Sequence, residues 1–421
     1  MAQLKQRIGF FSGISITVGM IVGSGFFGLP GIIVEQSGPV IGFLGWLTVI
    51  VLVAPLVHIF SQLGLRYPSA EGVAKYAEIA FGTWAGYSFS LVACGALAIG
   101  MPAFFFVGGA YAAELFHLSP DQYAAPFALF LAIITTLFNL WGPEKFSYLG
   151  KIVVPFVLIF IIAIIVLYLP GRGETIAKLN ADIVGTPLSI NKLWLAAAVA
   201  FWAFQGWENM SFGLEEFSNP RKTIPLVYWY SFALISIIYA LFAWTVSLVH
   251  YDGILVNGIS GITSLINGGI FIESMVLLLI VGILIVNANS WVFGASRIAY
   301  STAKKGILPR SMGELDKKSL PRNSLIGSLI IYSIIIGIIE FTNIPIHYAF
   351  LLTTQGFIFL YGTAIVAYFK VIKSKWKYAI SAIAFLSWVF LISGFSWFLL
   401  YPVSLLFIGW WMYKRQGIKQ A

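Results

Sequence analysis

Three glycines interrupt the first hydrophobic segment of the chain, at the depth where a membrane helix has its middle. The segment runs from Ile8 to Val34 without a charged residue, and Gly19, Gly23 and Gly25 lie at its centre. Glycine is a poor helix former, and unwound backbone is tolerated at membrane depth only where it lines a protein cavity. The pattern therefore predicts a broken helix whose free N–H groups can bind an anion such as a carboxylate.

Glu208 is the second feature that could do chemistry. Of the sixteen acidic residues it alone lies deep within a hydrophobic segment, where an ionisable side chain costs roughly 3 kcal/mol or more and marks a functional site by default. Burial disfavours the charged form of a carboxyl, so we expect Glu208 to take up and release a proton, as proton coupling requires. The structural alternative is a hydrogen-bonded glutamate that holds the surrounding backbone together, and one residue can serve both purposes.

Further polar and aromatic side chains lie in hydrophobic segments and could face the same site. Amide and hydroxyl side chains in membrane helices more often form hydrogen bonds between helices, although Asn287, Asn289 and Ser290 could also face the glycine break. Aromatic rings could wall a pocket for an apolar side chain, but they make up 16% of the chain, so most of them are expected to pack or to face lipid. The candidate rings are those of Phe27, Phe104, Phe105, Phe201, Trp202, Trp207 and Trp291.

Membrane helices must position these residues, because the composition fits no soluble class of protein. The chain has 421 residues, of which 59% are hydrophobic and 10% charged, and its mean hydropathy is +0.91. No soluble core needs so much apolar sequence, so we predict an all-α, polytopic membrane protein. Twelve segments are predicted to span the bilayer, at about 8–34, 40–64, 84–113, 122–141, 152–170, 193–214, 224–249, 274–300, 323–341, 345–369, 378–394 and 396–413.

The distribution of basic residues predicts the orientation. With the N-terminus inside, all but three of the 25 Lys and Arg residues fall on the cytoplasmic side, which agrees with the positive-inside rule. We therefore expect a protein of the cytoplasmic membrane with both termini cytoplasmic. We interpret the basic residues behind the net charge of +9 as determinants of this orientation, and not as a surface that binds nucleic acid. The single cysteine, Cys94, excludes an intramolecular disulfide, and no cofactor or metal site is predicted from it.

A second broken helix is predicted in the sixth segment. Gly206 follows Gly23 by 183 positions, and the sixth segment begins about that far after the first. Segments 1–5 and 6–10 could thus be two copies of one unit, and because five is odd the second copy would be inverted. We predict one domain over residues 1–421, with repeats at about 8–170 and 193–370 and two appended helices at about 378–413. The alternative is that Gly206 serves only close helix packing.

The sequence lacks the motifs of common enzymes and pumps. It contains no HExxH, CxxC, Walker A or GxSxG motif, and its longest cytoplasmic link, about Ser301 to Arg322, is too short for an ATPase domain. We therefore expect that the protein is not an enzyme. We also expect that the energy for any transport comes from ion gradients or from exchange of substrates. The composition alone does not exclude a channel, but broken helices in two inverted copies favour alternating access.

Several short motifs, taken together with the two breaks, are typical of one protein family. They are Val22-Gly23-Ser24-Gly25-Phe26-Phe27 with Pro30-Gly31, Tyr67-Pro68-Ser69-Ala70-Glu71-Gly72, Asn139 with Gly142, Gly206 and Glu208 with Glu215-Glu216, Asn219-Pro220 and Ile224-Pro225, and Gly294-Ala295-Ser296-Arg297 with Gly306-Ile307-Leu308-Pro309. With these motifs, residues 8–415 resemble the amino acid–polyamine–organocation superfamily of secondary transporters, which has the LeuT-type fold. Within it the chain is most similar to bacterial exporters of methionine and branched-chain amino acids.

The resemblance implies where a substrate would bind. The α-carboxylate of an amino acid is expected to meet the N–H groups of Gly23, Ser24 and Gly25. Its α-amino group is expected to meet carbonyl groups of the sixth segment, with Trp202 or Trp207 occluding the pocket. The implied substrate-binding residues are Val22, Gly23, Ser24, Gly25, Phe26, Phe201, Trp202, Phe204, Gly206 and Trp207.

One departure from the family bears on the coupling ion. Many sodium-independent relatives carry a lysine eighteen residues after the asparagine that matches Asn139, and its amine replaces a bound sodium ion, whereas this chain has Val157 there. A sodium site between the first and eighth segments is therefore an alternative. It would use carbonyl groups near Val22 and the hydroxyl of Ser290 or Ser296.

From the residues and the resemblance together, we expect a secondary amino acid transporter that favours neutral, apolar amino acids and exports them in a proton-linked process. An ionised Glu208 would instead suit a cationic amino acid or polyamine exchanger, and a sodium site would suit a sodium-coupled importer. A channel or a non-transporting membrane scaffold is a more remote alternative. The expected partners are the amino acid, the proton and the lipid bilayer but no nucleic acid, with the chain as a monomer or a homodimer.

Overall fold

The computed structural model describes residues 4–169, 171–254, 269–393 and 397–420, and these residues are predominantly helical. The one β pairing among them is an isolated parallel bridge between Ile8 and Phe217. The α-helices are α1 (Phe10–Ile21), α2 (Ser24–Ser37), α3 (Pro39–Arg66), α4 (Val73–Phe81), α5 (Thr83–Leu115), α6 (Pro120–Leu140), α7 (Pro143–Tyr168), α8 (Gly173–Gly185), α9 (Ile190–Phe201), α10 (Trp207–Ser211), α11 (Pro220–Tyr251), α12 (Gly269–Lys304), α13 (Arg322–Thr342), α14 (His347–Val371), α15 (Lys377–Ile392) and α16 (Leu400–Gln420).

Seven of the described helices, α3, α5, α6, α11, α12, α13 and α14, are long and apolar enough to cross a membrane. Each of the twelve predicted segments contains a helix or a broken helix pair. The prediction of an all-helical, polytopic membrane protein is therefore confirmed. The sequence analysis did not anticipate α4 and α8, two helices in the connections, and α8 makes an angle of 119° with the segment from Ile190 to Ser211.

The first predicted break is present in the fold. α1 ends at Ile21 and α2 begins at Ser24, so Val22 and Gly23 are not helical. A methyl group at Gly23 would lie 2.3 Å from Cγ of Asn287 on α12, so the absence of a side chain allows the close approach of these two segments. Glycine at this position therefore permits both the unwinding and the contact.

The second predicted break is also present. α9 ends at Phe201, one 3-10 turn follows at Trp202–Phe204, and α10 begins at Trp207. Gly206 has a φ of +130°, a conformation that residues with a side chain rarely adopt. Backbone geometry therefore requires glycine at position 206, in addition to any need for close packing.

The two broken helices lie side by side. α1 contacts α10, and α2 contacts α9, which is the pairing expected for two segments that run in opposite directions. Other helices surround them, since α1 packs against α7, α11 and α12, and α9 packs against α3. Both breaks are thus enclosed by protein, as unwound backbone in a membrane must be.

The N-terminal segment is hydrogen-bonded to the chain that follows α10. The N–H groups of Arg7 and Ile8 donate to the carbonyl of Glu216 at 2.8 and 2.9 Å, and the N–H of Ser218 donates to the carbonyl of Ile8 at 3.0 Å. Glu216 also forms an ion pair with Arg297 on α12, with 2.6 Å between Oε1 and Nε and both side chains fully buried. We call this side of the molecule the N-terminal face, and these contacts join both broken helices to α12 there.

We expect Arg297→Ala to destabilise the protein strongly, because the variant leaves the buried Glu216 side chain without its cationic partner. Removing one partner of a buried ion pair costs about 3–5 kcal/mol. The melting temperature of the purified protein in detergent measures the effect. Arg221→Ala, at an exposed arginine at the start of α11, is the matched control. Equal melting temperatures for the two variants would show that the pair does not hold this face together.

Candidate functional site

Side chains of α12 hydrogen-bond to the carbonyl groups at the end of α1. The last carbonyls of a helix have no partner within the helix, and in a membrane they must find one elsewhere. The Asn287 Nδ2 amide donates to the carbonyls of Gly19 and Met20, at 2.8 Å in each case. The indole N–H of Trp291 donates to Met20 at 2.7 Å. Neutral donors thus stabilise the first break.

The Tyr239 hydroxyl connects the two breaks. It lies 2.8 Å from the carbonyl oxygen of Ile21 in the first broken helix and 3.0 Å from that of Ala203 in the second. A hydroxyl group has one hydrogen to donate, so it can satisfy only one of these carbonyls at a time. The other carbonyl remains an acceptor for a cationic or N–H donor, and both residues line the cavity described below.

The start of α2 supplies donors. α2 begins at Ser24 without a side-chain cap, and the first N–H groups of a helix have no partner within it. These groups carry the positive end of the helix dipole. Gly23 and Gly25, on either side of Ser24, both line the same cavity, so an anionic group bound there would lie next to the positive end of α2.

The two breaks enclose a small space, which we call the central cavity. Its lining combines the backbone of the breaks with four aromatic rings and two amide side chains, from Met20, Ile21, Gly23, Gly25, Phe104, Trp202, Ala203, Gln205, Asn287, Trp291 and Phe357. The volume left to the centre of a water-sized sphere is about 10 Å³, which is room for about one water molecule. The cavity is therefore closed in this conformation, and a larger ligand must displace side chains to enter it.

Aromatic rings form an apolar wall of the central cavity. The ring centroid of Phe104 lies 6.1 Å from that of Trp202 and 5.4 Å from that of Trp291. Trp202 also meets Phe350 edge to face, with 4.9 Å between centroids. Such pairs contribute about 0.5–1.5 kcal/mol each beyond their buried area. A ligand that enters the cavity would therefore have to separate rings that pack against one another.

Gln205 and Asn287 each have a buried amide atom without a hydrogen-bond partner in the described part of the chain. These atoms are Nε2 of Gln205, a donor, and Oδ1 of Asn287, an acceptor. An unpaired buried polar atom costs about 1–3 kcal/mol, and both residues line the central cavity. A ligand with an acceptor and a donor, such as a zwitterion, could satisfy both atoms.

Glu208 is fully buried but does not line the central cavity. Its Oε2 accepts hydrogen bonds from the N–H of Gly206 at 3.1 Å and from the hydroxyl of Tyr361 on α14 at 2.5 Å. Its Oε1 has no hydrogen-bond partner among the described residues. Glu208 thus holds the second break against α14, which is the structural role considered from the sequence, and it retains an oxygen at which a proton could bind.

Part of the predicted substrate-binding set lies at the central cavity. Gly23, Gly25 and Trp202 line it. Val22 lies instead at a neighbouring small cavity lined by aliphatic side chains, among them that of Val157. The predictions for the side chains of Ser24 and Phe26 lie outside the described residues.

The remaining predicted residues surround the second break without lining the cavity. They pack elsewhere: Phe201 against Tyr361, Phe204 against Trp46 and Tyr239, Trp207 against Tyr228, and Gly206 beside Ile21. The sequence analysis missed Gln205, although it is the one polar residue between Phe201 and Gly206. It also missed Phe357, for which the sequence carries no signal, because α14 reaches the cavity only through the tertiary fold.

The two serines considered for a sodium site lie in different surroundings. Ser290 lies beside the first break, since a methyl group at Gly19 would be 2.9 Å from its Oγ. The Ser296 hydroxyl donates to the carbonyl of Phe293 at 2.8 Å and accepts a hydrogen bond from Arg297 at 2.8 Å. Ser296 is thus part of the polar cluster around the buried ion pair.

The chain is similar in sequence to known proteins over nearly its whole length. A family model described as amino acid permease matches residues 8–415. An uncharacterized amino acid permease of Bacillus subtilis, YecA, is 24% identical over 99% of this chain and 97% of its own length. The L-methionine/branched-chain amino acid exporter YjeH of Escherichia coli is 23% identical over 98% of this chain and 97% of its own. A human cystine/glutamate transporter is 26% identical over 73% of this chain and 63% of its own.

We expect Gly23→Ala to destabilise the protein, because the new methyl group would displace the Asn287 amide from the carbonyls of Gly19 and Met20. The loss of those bonds costs about 1–3 kcal/mol. Thermal melting in detergent measures it, with Gly337→Ala as the control, since a methyl group at Gly337 meets nothing within 4 Å.

The double variant Gly23→Ala with Asn287→Ala distinguishes this mechanism from a general intolerance of side chains at the break. If the clash is with Asn287, the two substitutions are not additive, and the double variant melts close to Asn287→Ala alone. Fully additive losses would contradict the close contact as the cause.

Proposed function

The chain belongs to the amino acid permease family, and from this membership we propose that it is a secondary transporter of neutral, apolar amino acids that works by alternating access. The observation that carries the proposal is the central cavity, whose lining combines hydrogen-bond donors at the start of α2 and on Gln205 with acceptors on Ala203 and Asn287. The carboxylate would bind at the start of α2, near Gly23 and Gly25, and to the free Gln205 Nε2. The ammonium group would bind the carbonyl of Ala203 and Oδ1 of Asn287.

The preference for an apolar side chain rests on the lining of the cavity. None of the lining residues is charged, and the rings of Phe104, Trp202 and Trp291 supply an apolar surface. A cationic side chain would need a carboxylate within reach, and the buried Glu208 does not line the cavity. One relative is a methionine and branched-chain amino acid exporter, and we propose the same substrate class for this chain.

We propose a topology of twelve spans in which the first ten form an inverted 5+5 repeat, with both termini cytoplasmic. The antiparallel pairing of α1 with α10 and α2 with α9 supports the repeat. The 183-residue spacing between Gly23 and Gly206 supports it independently. The concentration of Lys and Arg in the links on one side supports the orientation.

Alternating access would open the closed cavity toward one side at a time. On the N-terminal face, opening requires separation of the Glu216–Arg297 pair or of the bonds between Ile8 and Glu216. At the aromatic wall it requires separation of Trp202 from Phe104 and Phe350. The first barrier is charged and the second apolar, so the two openings would respond differently to ligand and ion binding.

We propose coupling to protons through Glu208, and export as the direction. The carboxyl is buried, and among the residues that the structure describes it accepts hydrogen bonds only from neutral donors and keeps one oxygen without a partner, so it can gain or lose a proton without breaking an ion pair. A sodium ion near the end of α1 would compete with Asn287 and Trp291 for its carbonyls. The adjacent cavity, lined by valines such as Val153 and Val157, offers no side-chain oxygen for a cation.

Proteoliposome counterflow tests the transport proposal. We expect saturable uptake of labelled methionine against an internal pool of unlabelled methionine, competition by leucine and little competition by arginine or a diamine. Replacement of sodium by choline should leave the rate unchanged. Strong competition by arginine would favour the cationic exchanger, sodium dependence would favour the importer, and the absence of counterflow would favour a channel or scaffold.

Glu208→Gln tests proton coupling. The amide can still accept hydrogen bonds from Gly206 and Tyr361 but cannot exchange a proton, so transport should lose its pH dependence while methionine binding stays within a few-fold of wild type. Glu340→Gln, at an exposed glutamate, is the matched control. A pH profile unchanged from wild type would remove Glu208 from the coupling mechanism.

A further inference from the structure

A second cavity lies between α5, α12 and α13 and shares no lining residue with the central cavity. Its volume is about 190 Å³, and apolar cavities of roughly 150 Å³ are known to bind molecules the size of benzene. Most of the lining is aliphatic, with Leu91, Ala98, Leu308, Met312 and Ile331 among the residues. We call this space the lateral groove, and its lining suits a hydrocarbon chain better than a polar ligand.

The lateral groove is open at its side. Ile331 is 37% exposed, and Leu91, Cys94 and Ala98 are half-buried. Among the polar residues of its lining, Cys94 is engaged with the Thr302 hydroxyl at 3.3 Å. In a bilayer, an open apolar groove on the outer surface of the helices is in contact with lipid tails.

One end of the lateral groove is formed by a basic loop. Leu308 and Met312 flank Arg310, which lies in a 3-10 turn, is exposed and forms no ion pair with any residue that the structure describes. The link from Lys304 to Arg322 contains six basic and two acidic residues. One of the acids, Asp316, accepts hydrogen bonds from the N–H groups of Lys318 and Leu320. A positive loop at the membrane surface attracts anionic lipid headgroups.

We propose that the lateral groove is a binding site for an anionic phospholipid, with one acyl chain in the groove and the phosphate against Arg310. The apolar volume accounts for the chain and the unpaired arginine for the headgroup charge. The site bridges α5, α12 and α13, and α12 also carries Asn287 and Trp291, which hold the first break. Bound lipid would therefore stabilise the helix on which the central cavity depends.

Native mass spectrometry of the protein in detergent tests the site, with phosphatidylglycerol and phosphatidylcholine of identical acyl chains. We expect wild type to retain one phosphatidylglycerol more than Ala98→Phe, which fills the groove. Ile334→Phe, at a lipid-exposed position on α13 that does not line the groove, is the matched control. Arg310→Gln should lower the preference for phosphatidylglycerol several-fold, whereas Lys373→Gln, in another exposed basic link, should not.

The single cysteine gives a second readout that does not depend on transport. Cys94 lines the lateral groove, so phosphatidylglycerol should slow its alkylation by N-ethylmaleimide several-fold in wild type and in Lys373→Gln, but not in Arg310→Gln. If Ala98→Phe does not fold, the Arg310→Gln comparison still decides, because that residue is exposed. Equal retention of both lipids, or unchanged phosphatidylglycerol retention in Arg310→Gln and Ala98→Phe, would overturn the proposal.

Discussion

In the interior of a membrane every peptide N–H and C=O must find a hydrogen bond within the protein, and the centre of this molecule is built around that constraint. α1 and α9 both end in the middle of the fold, so each leaves carbonyl groups without helical partners. Asn287, Trp291 and Tyr239 supply donors to these carbonyls. The N–H groups at the start of α2 have no side-chain cap. Among the described residues, the centre of the protein thus leaves N–H donors at the start of α2 and the Gln205 Nε2 for a ligand. It also leaves two acceptors, the Asn287 Oδ1 and one of the two carbonyls that share the Tyr239 hydroxyl.

Two buried glutamates illustrate how partners decide what a carboxyl can do. Glu216 contacts the guanidinium of Arg297, and its main-chain carbonyl accepts hydrogen bonds from the N-terminal segment. Glu216 therefore helps to hold the N-terminal face together. Glu208 lies eight residues earlier, and its hydrogen-bond donors in the described part of the chain are neutral, the N–H of Gly206 and the hydroxyl of Tyr361. A change of charge on Glu216 would disrupt an ion pair, whereas a change on Glu208 would act on the geometry of the second break. This difference makes Glu208 the better candidate for coupling a proton to movement of the broken helix.

A ligand must displace side chains to enter the closed central cavity, but not to enter the open lateral groove. The central cavity combines backbone polar groups with aromatic rings and holds about one water molecule, so binding there must be accompanied by movement of the rings. The lateral groove is already open and apolar, and it can be occupied without rearrangement. α5 and α12 contribute to both, because Phe104 and Asn287 face one space while Ala98 and Ala295 face the other. A movement of α5 or α12 can therefore change the shape of both the central cavity and the lateral groove.

The sequence alone determined the class of protein, the two breaks and the buried carboxylate. Hydropathy identifies apolar segments, and glycine at positions 23 and 206 marks unwound backbone, because both properties are local. The sequence named four of the lining side chains among its candidates, those of Phe104, Trp202, Trp291 and Asn287, but it could not separate them from candidates that pack elsewhere. Phe201, Phe204 and Trp207 are adjacent to the second break yet pack away from the cavity, while Phe357 and Gln205 line it.

Only the tertiary structure decided these positions. The direction of a side chain in an unwound stretch follows from its backbone angles, and the partner of an unpaired carbonyl can come from a helix far away in the chain. Asn287 lies 268 residues beyond Gly19, yet its side-chain amide donates a hydrogen bond to the Gly19 carbonyl because α12 packs against α1.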